Sequence, residues 1–250
     1  MNIVLDGKAT YPSSVLALGM FDGVHIGHTV LLQTAKRIAE ENHLPLVACT
    51  FAEHPLRLLD AAACPSYLQT LTERQQCMAE LGVDLFFSFP FDDSLMQMPA
   101  EVYIGELYRR FHPKAIVCGY NHHFGEKGLG TPTFLHMLGH ELDFQTTIIP
   151  QIGYDGEVVS ATAIRDLLAK GEVEKANQWL GRPYQLRCRL QNHEITIEPQ
   201  GKQTLPPGEY EAYFGGENTP IQVQLFTSEK GTYHGSLLEG TGTLTLLRRK

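Results

Sequence analysis

Positive charge is in short supply: 20 lysines and arginines face 28 aspartates and glutamates, leaving a formal net charge of −8. Such a surface argues against broad, nonspecific binding to nucleic acid or to anionic membrane, so an anionic substrate has to be caught in a local pocket. No apolar run approaches the length of a membrane-crossing helix, and the opening residues Met1-Asn2-Ile3-Val4-Leu5-Asp6 lack the basic start and long apolar core of a signal peptide, which leads us to expect a cytoplasmic protein. Cysteines are few and unpaired in pattern. Cys49, Cys64, Cys77, Cys118 and Cys188 are odd in number and include no Cys-x-x-Cys, so buried thiols in a reducing compartment are expected. Metal-ligand patterns are lacking too. His136 and His140 stand four apart on an expected helix, as His122 and His123 stand together, but no acidic residue or cysteine accompanies them at ligand spacing. A solvated helix face is the expectation for His136 and His140, and no metal site is assigned.

What is present is concentrated in Gly19-Met20-Phe21-Asp22-Gly23-Val24-His25-Ile26-Gly27-His28. The apolar run 14–18 before it suits a buried strand, and Leu31, Leu32, Ala35, Ile38 and Ala39 after it recur at helical spacing. This turn therefore feeds a helix N-terminus, whose unpaired N–H groups and positive dipole end favour an anion. Gly19, Gly23 and Gly27 remove side chains where the backbone must bend or a ligand approach, while His25 and His28, three apart, fall on one side of the first helical turn.

The alternation continues. Strands are expected over 46–51, 85–89, 115–119 and 146–149, and helices over 72–81, 100–111 and 133–140, with Pro132 in the first turn of the last. Alternating buried strands and helices predict a Rossmann-like, doubly wound parallel sheet, whose ligands bind beyond the carboxyl ends of the strands. The loops there carry Glu53-His54-Pro55, Asp92-Asp93 and Tyr120-Asn121-His122-His123-Phe124-Gly125. Adjacent carboxylates such as Asp92-Asp93 are expected simply to be solvated, whereas aromatics interleaved with Asn and Gly suit a planar ring that is stacked and hydrogen-bonded. Further on, Ser160 reads as the N-cap of a helix running to Lys170 and stopped by Gly171. Hydroxyls of Ser160 and Thr162 and the guanidinium of Arg165 together make a second candidate phosphate cradle. After a short helix over 173–180 and Gly181-Arg182-Pro183-Tyr184 the pattern changes. Short strands over 186–190, 194–197, 210–214, 221–226, 232–238 and 244–247, broken by Pro206-Pro207-Gly208 and Gly215-Gly216, predict a small antiparallel sheet or barrel. The expected boundary gives domains of residues 1–184 and 185–250.

The opening motif resembles that of the His-x-Gly-His nucleotidyltransferases, and among them the bacterial FAD synthetases. Phe51-x-x-His54-Pro55 is similar to that family's Phe-x-Pro-His-Pro segment, with Glu53 in place of its first proline. Gly119-Tyr120-Asn121-His122-His123-Phe124-Gly125 resembles its Gly-x-Asp/Asn-Phe-x-Phe-Gly stretch, with His122 where Phe is usual, and Ser160-Ala161-Thr162-Ala163-Ile164-Arg165 its Ser-Ser-Thr-x-Ile-Arg. The resemblance ends at Leu180-Gly181-Arg182-Pro183-Tyr184. It implies transfer of AMP from ATP, entering with Mg²⁺, to FMN, giving FAD and pyrophosphate. In that assignment His25, His28 and Arg165 are catalytic. Gly19, Phe21, Asp22, Gly27, Gly119, Asn121, Ser160, Thr162 and Arg165 contact the nucleotide, and Phe51, His54, Pro55, Asn121, His122 and Phe124 the flavin. Riboflavin kinases of such bifunctional enzymes carry a Gly-Arg-x-Leu-Gly-Phe-Pro-Thr-Ala-Asn signature that has no counterpart after Tyr184, so a reduced kinase-like β module without kinase activity is expected. Competing readings keep the chemistry with another phosphate-ester acceptor, make the chain a catalytically silent flavin or nucleotide binder, or use the histidines in a metal-dependent hydrolase.

Overall fold

The computed structural model describes residues 2–4, 10–217, 219–234 and 239–250. Contacts divide them into two units, one of Met1–Pro65 and Leu71–Ile152, the other of Ser66–Thr70 and Gly153–Lys250.

The first unit runs β1 (Asn2–Val4), β2 (Ser14–Leu18), α1 (Ile26–Glu41), β3 (Leu46–Phe51), α2 (Leu56–Leu59), α3 (Leu71–Glu80), β4 (Leu85–Phe89), α4 (Asp93–Met96), α5 (Ala100–Phe111), β5 (Pro113–Gly119), α6 (Pro132–Leu142) and β6 (Gln145–Ile149). All six strands are parallel, in the order β1-β4-β3-β2-β5-β6. β2 and β4 are buried along their whole length, which is why they read as unbroken apolar runs rather than alternating ones. Each face nonetheless has its own core, because successive side chains point opposite ways. Leu16, Leu18 and Phe87 pack with Ile104 and Leu107 of α5 and Leu135 of α6, while Val15, Ala17 and Phe86 pack with Leu32 and Ala35 of α1 and Met78 of α3. Helices cover both faces. From β2 the chain moves outward to β3 and β4, then crosses back to place β5 on the other side of β2. The switch point of this sheet therefore lies between β2 and β5, and the two loops that flank it are the glycine–histidine turn and the 120–130 loop.

The second unit holds a small hairpin of β7 (Gly153–Tyr154) and β8 (Glu157–Val158), then α7 (Ala161–Lys170), α8 (Val173–Leu180) and the strands β9 (Gln185–Gln191), β10 (Glu194–Glu198), β11 (Gly208–Phe214), β12 (Ile221–Leu225), β13 (Lys230–His234) and β14 (Gly240–Arg249). The last six close into an antiparallel barrel in the order β10-β13-β12-β11-β14-β9. Strict alternation of buried and exposed residues along β9 fills the interior with side chains such as Leu186, Cys188 and Leu190. α7 and α8 pack within this unit: Asn177 Nδ2 donates to the carbonyl of Leu246 at 2.9 Å, and Arg249 donates to that of Lys170 at 2.8 Å.

The doubly wound sheet followed by an antiparallel β domain is as expected from sequence; among the described residues only strands follow from Gln185 on, whereas contacts divide the two units at Ile152 and Gly153, so that α7 and α8 fall in the second. The one-turn helices α2 and α4 and the β7–β8 hairpin were not foreseen. Asp92 is more than a solvated carboxylate, since it caps α4 by accepting from the Leu95 N–H at 2.9 Å. The expected strand over 232–238 is β13, displaced toward the N-terminus, and residues 235–238 lie outside the described residues. Of the five thiols, Cys49, Cys118 and Cys188 are buried, but Cys64 and Cys77 are only half-buried. Burial pushes the Cys118 and Cys188 thiols up to about 12, which makes them inert. No helix among the described residues is long and apolar enough to cross a membrane.

Candidate active site

Beyond β2 the backbone turns through left-handed conformations at Phe21, Gly23 and Val24, with φ of 52°, 77° and 35°. A β-branched residue at positive φ is strained, and strain of this kind concentrates where a loop must hold one functional shape. Two hydrogen bonds hold it from below: the Met20 carbonyl accepts from Thr50 Oγ1 at 3.1 Å and from Arg74 Nη1 at 2.8 Å. His25 then caps α1, its Nδ1 accepting from the His28 N–H at 3.4 Å. Accepting at Nδ1 leaves Nε2 as the donor of this imidazole. The rings of His25 and His28 stack at 3.8 Å with an 18° interplanar angle, and the edge of Phe21 meets His28 at 5.3 Å. Both glycines flanking the turn lie close against these rings. A Cβ on Gly19 would stand 2.9 Å from the Phe21 ring, and one on Gly27 would stand 3.2 Å from that of His25.

Phe21 is wholly buried and Asp22 nearly so, which makes them supports of the turn rather than open surface. Arg74 is the residue that sequence reasoning missed. It is 5 % exposed, donates also toward the Ala52 carbonyl at 3.4 Å, and so ties the loop after β2 to the loop after β3. A signal existed: Leu71, Arg74, Gln75 and Met78 share one helical stripe, and an arginine on a buried stripe needs fixed acceptors.

Past the carboxyl ends of β3, β4 and β5 lies an apolar cavity of about 480 Å³, lined by Phe51, Pro55, Phe91, Tyr103, Phe124 and residues 125–128, among others. Phe51 and Phe91 meet edge to face at 5.2 Å. The 120–130 loop is closed by paired backbone bonds between Phe124 and Gly130, and Gly130 has no Cβ because one would lie 2.5 Å from the Phe124 ring. Thus the cavity takes in Phe51, Pro55 and Phe124, but His54, Asn121 and His122 are not among its lining residues. His54 turns back to accept from the Leu56 N–H at 3.2 Å, Asn121 is exposed near Gly119, and the divergent Glu53 is an exposed residue 3.6 Å from Arg57. His136 and His140 are exposed on α6, their Nε2 atoms 3.3 Å apart.

His122 stacks on Phe124 at 5.7 Å, and its buried Nε2 finds no hydrogen-bond partner among the described residues. Burial, aided by repulsion from His123, pulls its imidazole down to about 4. A histidine whose folded pKa lies below the unfolded value of about 6.5 contributes stability that is complete above that pH and lost as pH falls toward 4. His122→Phe should therefore flatten the fall of the urea midpoint between pH 7 and 4. An unchanged slope would contradict a neutral, buried ring.

In the second unit Ser160 caps α7, its Oγ accepting from the Ala163 N–H at 3.2 Å, with Thr162 exposed in the first turn. Arg165, half-buried, donates through Nε to the Ser66 carbonyl at 2.6 Å.

A parallel sheet with a glycine-bearing turn and a helix N-terminus at its switch point is the doubly wound α/β architecture, in which ligands bind beyond the carboxyl ends of the strands. The chain belongs to the FAD synthetase family, whose model matches residues 8–163. It is 33% identical over 173 residues to a bifunctional riboflavin kinase/FMN adenylyltransferase of Listeria monocytogenes, covering 69% of this chain and 55% of the relative. To the proteins of the same description from Bacillus subtilis and Escherichia coli it is 32% and 30% identical, over 71% and 73% of this chain and 56% and 59% of theirs. It thus spans a little over half the length of these curated relatives. A crystal structure described as a macrolide-efflux protein from Streptococcus pneumoniae shares the fold, with a TM-score of 0.83 at 22% identity over 99% of this chain and 90% of that one.

Proposed function

We propose that this chain transfers the adenylyl group of ATP to FMN, forming FAD and pyrophosphate. An FMN phosphate oxygen forms the new bond to the α-phosphorus, while the bond from that phosphorus to the β-bridging oxygen breaks and its electron pair leaves with pyrophosphate. The attacking phosphate is already anionic, so the protein need only align the two ends and stabilise charge. The observation that carries this reading is the pair of imidazoles stacked at 3.8 Å on the capped N-terminus of α1, where ring donors and helix dipole would act on one anion. His25 and His28 would serve the α-phosphate, with Gly19 and Gly27 keeping the turn tight and Phe21 and Asp22 holding it from beneath.

Ser160, Thr162 and Arg165 would hold the departing β- and γ-phosphates, ATP entering as its Mg²⁺ complex. Ser160 Oγ accepts within the cap, which leaves its proton to donate to an anion. The aromatic cavity would take the flavin ring between Phe51, Pro55 and Phe124, and its volume of about 480 Å³ is ordinary for such a ligand. Asn121 and Gly119 are assigned to the nucleotide side. Functionally the transferase part would run over residues 1–184, with the barrel lacking kinase activity. Inert buried thiols suit a cytoplasmic setting. Incubation with ATP and Mg²⁺ and either FMN or riboflavin tests all of this. FAD from FMN alone is expected, FMN made from riboflavin would overturn the reading of the barrel, and absence of FAD would overturn the reaction.

A further inference from the structure

Ser66–Thr70 belongs by contacts with the second unit, although its neighbours in sequence on both sides belong to the first. What holds it is specific. The Tyr67 N–H donates to the Gly201 carbonyl at 2.8 Å, the Gln203 N–H donates to the Tyr67 carbonyl at 2.7 Å, and Tyr67 forms a parallel bridge with Lys202. Ser66 Oγ donates to Gln203 Oε1 at 2.7 Å. Gln203 is itself fixed at both ends, its Nε2 donating to the Thr204 carbonyl at 3.0 Å and its own carbonyl accepting from the Tyr184 hydroxyl at 2.7 Å. All of 199–203 lies in the connection between β10 and β11 of the barrel.

The Ser66 carbonyl and the Tyr67 N–H are two ends of one planar peptide group. That N–H is bonded to Gly201 and the Ser66 hydroxyl to Gln203 Oε1, so the barrel fixes Ser66 through both its following peptide and its side chain, and it is this residue's carbonyl that receives Arg165 Nε at 2.6 Å. A long guanidinium side chain has many rotamers, and a fork meant for a phosphate must be aimed before the phosphate arrives. Here the aim is supplied by a fixed acceptor.

We propose that the β10–β11 connection is a positioning element for Arg165, acting through Gln203 and the Ser66–Tyr67 peptide, so that the barrel serves the transfer reaction by orienting the group that receives pyrophosphate. The proposal rests on the transferase reading of Arg165. Gln203 and Ser66 are positioning residues, since neither is assigned to substrate.

Their test is a double-mutant cycle. Gln203→Ala should lower kcat for FAD formation about tenfold, as a misaligned catalytic group does, with KM for FMN unchanged. Calorimetric affinity for inorganic pyrophosphate should weaken by about the same factor. In an Arg165→Lys background, which lacks the Nε donor, Gln203→Ala should change neither quantity further. Ser66→Ala keeps the carbonyl and removes only the bond to Gln203, so it gives the same cycle should Gln203→Ala fail to fold. Equal losses in the two backgrounds, or no loss in the first, would overturn the relay. No FAD from the unaltered chain would instead overturn the transferase reading, while the pyrophosphate cycle would still decide the relay.

Discussion

Replacing His28 by alanine is expected to lower kcat for FAD formation by about 10² to 10³ while KM for ATP moves little. The size follows from where the ring sits. His28 is stacked on His25 and braced by the edge of Phe21, so its ring is held in place before substrate arrives, and a preorganised donor acts mainly on the charge that develops during transfer. The substitution is also clean. What His28 gives to the helix cap is its backbone N–H, which alanine retains, so the N-terminus of α1 survives the loss of the ring. His28→Gln, keeping a side-chain donor, should recover part of the rate. Steady-state kinetics at saturating FMN decides the matter, and unaltered turnover in His28→Ala would remove the ring from the mechanism.

The second large effect is on structure and acceptor together. Gly125→Ala should destabilise the protein by about 3 kcal/mol and abolish FMN binding. Gly125 has φ of 73° and ψ of −176°, a region that only glycine visits readily, and an added Cβ would lie 2.5 Å from Cα of Ala100 and 2.7 Å from its nitrogen. Those atoms are backbone at the start of α5 and cannot turn aside, so the 125–128 segment must leave, taking with it one wall of the aromatic cavity. Gly156→Ala is the control. Its φ is 81° but nothing lies within 4 Å of the new Cβ, so only the left-handed penalty of roughly 1 kcal/mol remains. Urea unfolding and quenching of FMN fluorescence measure the two consequences separately, and a Gly125→Ala protein that binds FMN normally would refute the cavity as the acceptor site.

Much of this was readable in the chain because burial on both sheet faces writes strands as continuous apolar runs. The runs 14–18, 46–51 and 85–89 are the strands β2, β3 and β4 residue for residue. Helix ends were legible for the same kind of reason: Ser160 and Gly171 do at α7 what a cap serine and a left-handed glycine do anywhere. Helices of four residues, such as α2 and α4, are too short to show a period. The cavity proposed for the acceptor was only half legible. Phe51, Pro55 and Phe124 line it, yet His54 and His122 make local contacts outside it, and Phe91 and Tyr103 complete the walls from segments without any motif. Hardest of all was the anchor of Arg165, because Ser66 and Gln203 stand 137 positions apart and neither neighbourhood is unusual by itself.

That separation also orders events during synthesis. Residues 66–70 emerge from the ribosome well before the barrel segment to which they bond, and closing so long a loop is entropically slow. The parallel sheet has its strands β1–β6 in hand once residue 149 is made, but Ser66 must wait with its hydroxyl in water until Gln203 is translated and the barrel closes through β14. A nascent chain therefore gains the parallel sheet first and the anchor of Arg165 only once the β10–β11 connection has formed.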